Sequence, residues 1–481
     1  MINLIRRIAP AAALLLGLSL PAAAQAPAFD FDQLQDETAQ RLSEYLRINT
    51  SNPPGNELAT ARWLKEVLAK EGIEGQILDT AELGPGRANF YARLKGNGSG
   101  KAIALVHHMD VVPVSREFWS EDPFAGLIKD GYIWGRGALD MKGHGIIQLM
   151  TLIAIKRAGI PFDRDLVYIG NADEESGGSG ARTLISRHPE LIEDVEYLLT
   201  ESGGSRVEKG KVRWFGLNVG EKQVYWQKLV VRGKASHGSR PTPYNPVPRL
   251  ARILTRIAAW ETPLRVTPAV DRYLKAQAPT ETGEHRRWLA DAASALRTAR
   301  GRAWLLSEPE RNALLRNTIS PTVLVGSNKT NTIPPEASAE LDIRLLPDQD
   351  TVAFRRELLR VIGDTGVTLT SMGDMAPRFS APLDSEMSRA IQRTAARLLP
   401  GVPFATTTST GATDRPYYAG AGIICYGVDP ALVDIEEVRR GVHGNDERIS
   451  IKNLGFGLRL YAGVIQEMQA VEKSVNGKKK R

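Results

Sequence analysis

From residue 101 onward, short apolar runs alternate with longer stretches of helical periodicity, and nothing else in the chain limits its fold as much. Residues 102–106 (Ala-Ile-Ala-Leu-Val), 166–169 (Leu-Val-Tyr-Ile) and 197–199 (Tyr-Leu-Leu) read as strands. The first lacks any polar residue to turn toward water, as in a strand covered on both faces. Residues 146–158 read as a helix between the first two strands. Strands alternating with helices predict an α/β fold with a mixed, mostly parallel sheet between helices. Upstream, residues 30–72 form two helical pieces, broken by Asn52-Pro53-Pro54-Gly55-Asn56.

A different pattern begins near Glu221. Residues 223–231, 322–325, 337–345 and 367–371 read as strands, and 247–260 and 352–362 as helices. That order, β-α-β-β-α-β, predicts a ferredoxin-like α+β unit. The stretch 262–316, rich in Arg, Ala and Glu, reads as a helical insertion within it. After residue 373 the α/β pattern resumes. The expected organisation is a first α/β part over 27–220, an inserted unit over 221–373, a second α/β part over 374–474, and a basic tail over 475–481.

Residues 1–26 read as a secretory signal. Arg6 and Arg7 precede an apolar stretch too short to span a bilayer, and Ala24-Gln25-Ala26 is an Ala-x-Ala cleavage site. A membrane anchor that is never cut is the alternative. Cleavage near Ala26 predicts a secreted or periplasmic protein. No later segment reads as a membrane span. The single cysteine, Cys425, lies in the apolar run 422–426 and reads as a small buried hydrophobe. The formal charge is +7, but Arg6 and Arg7 carry two of those charges and Lys478-Lys479-Lys480-Arg481 another four. The body is therefore near neutral, which argues against a nucleic-acid surface. A solvated tail and electrostatic attachment to an anionic envelope both fit the basic end.

Five motifs carry candidate chemistry. Three of them fall at predicted strand ends, where open α/β sheets bind ligands. They are His107-His108-Met109-Asp110, Asp173-Glu174-Glu175 and Thr200-Glu201. The other two are Gly137-Ala138-Leu139-Asp140 and Val442-His443-Gly444. Each alone is an ordinary polar turn. Together they supply two His, one Asp and two Glu, with one Glu to spare, a donor set that suits zinc, or cobalt or manganese in its place. A pair of metals needs a bridging carboxylate, which Asp140 can supply. A carboxylate beside a ligand can stay free as a base.

With these motifs in this order and spacing, the chain resembles the co-catalytic dizinc exopeptidase and aminoacylase family. Members include glutamate-releasing carboxypeptidase, succinyl-diaminopimelate desuccinylase, acetylornithine deacetylase, aminoacylase and the vacuolar carboxypeptidase of yeast, whose layout it matches best. The likeness runs from about residue 35 to 470. It implies two Zn2+ per chain, with His108 and Glu201 on one, Glu175 and His443 on the other, and Asp140 bridging. It also implies Glu174 as general acid/base, Asp110 as the residue orienting His108, and a cis peptide between Asp140 and Met141. His107 and His144 match no family role and read as structural. The inserted unit becomes a lid and dimerisation domain. Lys234-Ala235-Ser236-His237 resembles the segment whose His acts across a homodimer interface. Asn331, Arg344, Gly411 and Thr413 resemble substrate-contacting positions.

The resemblance implies an amide hydrolase for peptides or N-acyl amino acids with a free carboxylate, which the planar fork of Arg344 suits. An aminopeptidase or di/tripeptidase on the same scaffold is the nearest alternative, and a non-catalytic metal-binding protein a distant one. A serine or cysteine nucleophile enzyme is disfavoured, because the chain has no Gly-x-Ser-x-Gly and its one cysteine sits in an apolar run.

Overall fold

A strand with no polar face needs neighbours on both edges and cover on both sides. In the computed structural model, which describes residues 29–98 and 100–476, the first apolar run becomes the strand Gly100–His108, buried from Ala102 to His108. Its two neighbours, Arg164–Asn171 and Val195–Thr200, both run parallel to it. The three predicted strands thus end on one edge of a nine-stranded mixed sheet. The spatial order is Gly75–Leu78, Asn89–Leu94, Arg164–Asn171, Gly100–His108, Val195–Thr200, Ile424–Val428, Lys211–Glu221 and Phe404–Ser409. The short strand Arg206–Glu208 pairs beside Lys211–Glu221.

The helix Lys142–Ala158 is buried from Lys142 through Ile155, which is why it is apolar nearly all round. It packs with Phe31–Leu46 and Ile451–Asn476. Cys425 is buried in this core, as its apolar surroundings predict. Among the described residues no helix is long and apolar enough to cross a membrane. The predicted signal segment and residues 477–481 of the basic tail lie outside the described residues.

The second pattern folds as a separate five-stranded antiparallel sheet. Its strands are Gln223–Val224, Gln227–Arg232, Thr318–Val325, Glu336–Leu345 and Val367–Ser371, and the helices Pro246–Ala258 and Thr351–Ile362 pack on it. The order of elements is as expected. The first predicted strand is divided at Tyr225-Trp226, and the strand expected at 322–325 begins earlier, at Thr318.

The stretch 262–316 is helical, but it attaches elsewhere than expected. Its helices, Pro268–Gln277 through Pro309–Leu314, build a core with Trp214 and Ala405 of the large sheet and share no buried cluster with the small one. The reason is the strand Phe404–Ser409, which ends the large sheet's order and presents an edge. Helix Pro268–Gln277 covers that strand. Although inserted within the small unit's sequence, the stretch completes the large unit's surface.

Candidate active site

Parallel strands deliver their last residues to one place. His108 closes its strand with its imidazole buried. Its Nδ1 donates to the backbone carbonyl of Asp110 at 3.0 Å, with the Asp110 carboxylate farther off at 3.6 Å. That leaves Nε2 facing Asp140 Oδ1 at 3.1 Å and Glu201 Oε1 at 3.9 Å. His443, at a positive φ of 56°, turns its own Nε2 to Asp140 Oδ2 at 3.2 Å and to Glu175 Oε2 at 3.1 Å. Two ligand groups result, His108–Asp140–Glu201 and Asp140–Glu175–His443. They share Asp140, one oxygen toward each imidazole.

The donor set fits a pair of divalent metal ions. Asp140, Glu174, Glu175, Glu201 and Asp414 gather around two imidazoles, an excess of half-buried and buried acid that calls for cations. Glu175 Oε1 is buried without a hydrogen-bond partner among the described residues. Asp140 and then Glu175 hold the His443 imidazole in its charged form, pushed up to about 10. A metal ion would replace that proton.

Glu174 belongs to neither ligand group, yet it lines the same cleft as Asp140, Glu175, Glu201 and His443. Burial foremost raises its carboxyl well above the usual range. Glu201, Asp414 and Glu175 add to the rise, and His108 opposes it. The backbone N–H groups of Glu174 and Glu175 donate to the Asp110 carboxylate at 3.2 and 3.1 Å. Asp110 therefore does more than was expected of it. Its backbone carbonyl orients His108, and its side chain fixes the loop that presents both glutamates.

Several functional residues escaped the sequence reading. Glu447 is wholly buried and accepts from the N–H groups of Gly137, Leu139 and Asp140 at 2.9, 2.7 and 3.0 Å. Arg136 Nη1 neutralises it at 2.6 Å. This holds the loop carrying the shared Asp140. Asn52, read only as part of a helix-breaking turn, donates to Asp110 and Asp173 at 2.7 and 2.9 Å. Asn171 donates to Asp414 at 2.8 Å. The one local signal was Arg136 between two glycines, since a lone cation in a tight turn calls for a distant anion. The peptide between Asp140 and Met141 is cis, as the resemblance implied.

The cleft has a volume of about 730 Å3 and is walled in part by the small sheet unit. Arg344, Gly411 and Thr413 line it. Arg344 Nε donates to Asp342 at 2.7 Å, and its guanidinium lies 5.8 Å from the Trp226 ring centre. The Thr413 hydroxyl is already engaged, donating to Glu221 at 3.1 Å and accepting from Arg415 Nε at 3.0 Å. Thr413 therefore shapes the wall and has no free hydroxyl for a substrate.

His237 and Asn331 are not among the residues lining the cleft. Both are exposed and sit together at a short antiparallel pair of strands, Ser236–His237 with Thr332–Ile333, where Gly238 N donates to Asn331 O at 2.7 Å. His237 Nδ1 accepts from the Ser239 N–H and hydroxyl at 3.1 and 2.8 Å. His107 and His144 are buried in the large core, bonded to Tyr45 and Tyr461 respectively, as structural residues would be.

Comparison with known proteins accords with this geometry. The chain is 28% identical over 381 residues to the N-fatty-acyl-amino acid synthase/hydrolase PM20D1 of Xenopus tropicalis, covering 75% of this chain and 71% of that protein. It is 26% identical over 455 residues to aminoacylase-1 of Sus scrofa, covering 89% and 94%. Its fold matches the metallo-carboxypeptidase Sso-CP2 of Sulfolobus solfataricus with a TM-score of 0.68 at 19% identity, over 90% of this chain and 100% of that one. The model of peptidase family M20/M25/M40 matches residues 104–467. The chain belongs to that family and is a metal-dependent hydrolase.

Proposed function

We propose that this chain is an exported two-zinc amide hydrolase acting on peptides or N-acyl amino acids that carry a free carboxylate. One observation carries the reading: two three-residue ligand groups share Asp140, with the unligated Glu174 beside them. Such a site suits metal-assisted hydrolysis of an amide and gives a mere binding module no use for a spare acid. Zinc, with cobalt or manganese as substitutes, would supply Lewis acidity and lower the pKa of a water toward neutrality. His108, Glu201, Glu175, His443 and the shared Asp140 would hold the pair.

The chain's own groups do the rest. Glu174 accepts the proton of the attacking water on its carboxylate and returns it to the departing amine. Asp110 holds Glu174 in place through the backbone bond described above. Arg344 and the Gly411 loop, on the cleft wall, receive the substrate carboxylate. The small sheet unit acts as a lid. His237, which lies outside its own chain's cleft, reaches the cleft of a second copy in a two-fold homodimer and donates to the developing oxyanion. The exposed apolar strand end Val323, Leu324 and Val325 supports such pairing, and the stretch 262–316 leaves it uncovered because it packs on the large sheet.

The names of the relatives agree with this class, since PM20D1 and aminoacylase-1 are named for N-acyl amino acid chemistry. Export rests on the sequence of residues 1–26. The test is one dipeptide offered N-blocked and C-amidated. Hydrolysis that survives N-blocking and is lost on amidation is the expected result. The reverse pattern identifies an aminopeptidase.

A further inference from the structure

Glu174 and Glu175 follow Asp173, which holds a left-handed φ of 63°. A residue with a side chain keeps that conformation only where its surroundings enforce it. Here the enforcement comes through the carboxylate. Asp173 Oδ1 meets Arg87 Nη1 at 2.6 Å and accepts from Asn52 Nδ2 at 2.9 Å, and Oδ2 accepts from the Ser179 hydroxyl. The Asp173 carbonyl accepts from Gly177 N and Gly178 N at 3.2 and 2.6 Å. The turn that carries both glutamates is thus tied at its first side chain and closed along its backbone.

Arg87 stands at the centre of these ties. It lies in the loop between strands Gly75–Leu78 and Asn89–Leu94, with its side chain only 14% exposed. Besides meeting Asp173, it donates from Nη2 to Asn52 Oδ1 and from Nε to the Pro54 carbonyl at 2.8 Å. Asn52 passes the constraint on, since its Nδ2 donates to Asp110 Oδ2 at 2.7 Å. The Asp110 carboxylate in turn accepts from the N–H groups of Glu174 and Glu175. Two routes therefore lead from one guanidinium to Glu174, one through Asp173 and one through Asn52 and Asp110. A planar fork with donors on three nitrogens can reach a carbonyl, an amide oxygen and a carboxylate together; an ammonium is a single point charge. Glu57, wholly buried, adds a third acid to Asp110 and Asp173 near Arg87, and its Oε2 has no hydrogen-bond partner among the described residues.

Arg87 is in neither ligand group and does not line the cleft. We infer that Arg87 is a positioning residue for Glu174, setting the direction of the proton carrier without touching metal or substrate. This rests on the reading of Glu174 as general acid/base, so one readout of its test needs no turnover.

That readout is hydrogen exchange of the zinc-loaded protein at the Glu174 and Glu175 amides, the two donors to Asp110. In Arg87→Met their exchange should rise by about tenfold or more, while the strand Gly100–His108 exchanges as in wild type. Arg87→Lys keeps the charge, loses the fork and should loosen the same amides. Arg93→Met is the control. It breaks an equally buried ion pair with Asp165, at the opposite end of the strand Arg164–Asn171, and should leave both amides protected. On an amide that wild type cleaves, Arg87→Met should lower kcat by about 10–100-fold with KM within about twofold. Added to Glu174→Gln, it should lower kcat by less than about threefold more, because the group it places is already gone. Losses that multiply in the double variant, unchanged exchange in Arg87→Met, or Arg87→Lys indistinguishable from wild type overturns the assignment. Protection lost in the strand as well as the turn also overturns it, by making Arg87 a residue of general stability. If wild type cleaves no amide, the hydrolase reading has failed, and exchange alone decides whether Arg87 holds the turn.

Discussion

The metal-ligand cluster and the His237 strand pair are both built from polar residues at strand or loop ends, but one is closed and the other open. In the cluster every side chain finds a partner within its own chain, and Asp140 alone meets two imidazoles. Beneath it, Glu447 and Asp110 fix the loops that carry the ligands. At the strand pair, His237 and Asn331 face solvent and bond only their immediate surroundings. The contrast teaches that a preorganised site is recognised by its supports as much as by its ligands. A chemically capable residue without supports in its own chain needs another chain to give it a role.

The sharpest way to break the comparison is Glu174→Gln. It removes the proton carrier from the closed site without touching either ligand group. We expect kcat to fall by roughly 10²–10⁴ with metal content unchanged. Loss of metal in this variant would make Glu174 a ligand.

His237→Ala addresses the open region. If a partner chain completes the site, this variant loses about 10²–10³ in kcat, the usual effect of removing an oxyanion donor. Mixing it with Glu174→Gln should restore part of the activity, because a mixed dimer keeps one intact site. Exchange of subunits without recovery refutes action in trans.

Glu447→Ala probes the supports. It leaves Arg136 buried without its anion and frees the N–H groups of Leu139 and Asp140. Stability in denaturant titration should fall by about 3–5 kcal/mol, and zinc affinity with it. A change within about 0.5 kcal/mol, the usual scatter of a surface site, would deny Glu447 this role.

The smallest effect concerns pH. Burial foremost holds the imidazoles of His107 and His144 down to about 3, with neighbouring histidines adding to the effect. Their unfolded value is about 6.5. Between these values the unfolded chain binds more protons than the folded one, so stability is full above about 6.5 and is lost as pH falls toward 3. His144→Phe should flatten this acid limb by up to about one proton in denaturant titrations across that range. An unchanged slope would mean that His144 titrates normally.

How much of this was legible in the sequence follows from the range of each interaction. The strands at 102–106 and 166–169 announced themselves because a doubly covered strand has no polar face to hide. His108, Glu175 and Glu201 were visible as polar residues placed where apolar runs stop, whereas Asp140 and His443 lie in glycine-containing motifs, and it was the family resemblance that assigned all five as ligands. Glu447 was not assigned, because its hydrogen bonds reach back 307 to 310 residues along the chain to amides that any residue carries. Thr413 was read as a substrate contact because nothing local shows that Glu221 and Arg415 occupy its hydroxyl. The stretch 262–316 was legible as helix from its composition. Its seat on the large sheet depends on Trp214 and Ala405, residues of strands before and after the inserted unit.

The account rests on two metal ions sharing Asp140, and metal analysis of the active enzyme tests that most directly. Chelated protein, inactive, is titrated with zinc while bound metal and activity are followed together. The account predicts that activity returns to its full value only as binding approaches about two equivalents per chain, and that Asp140→Ala loses tight binding at both positions. Full activity at one equivalent, or an Asp140→Ala protein that still holds two, would contradict it.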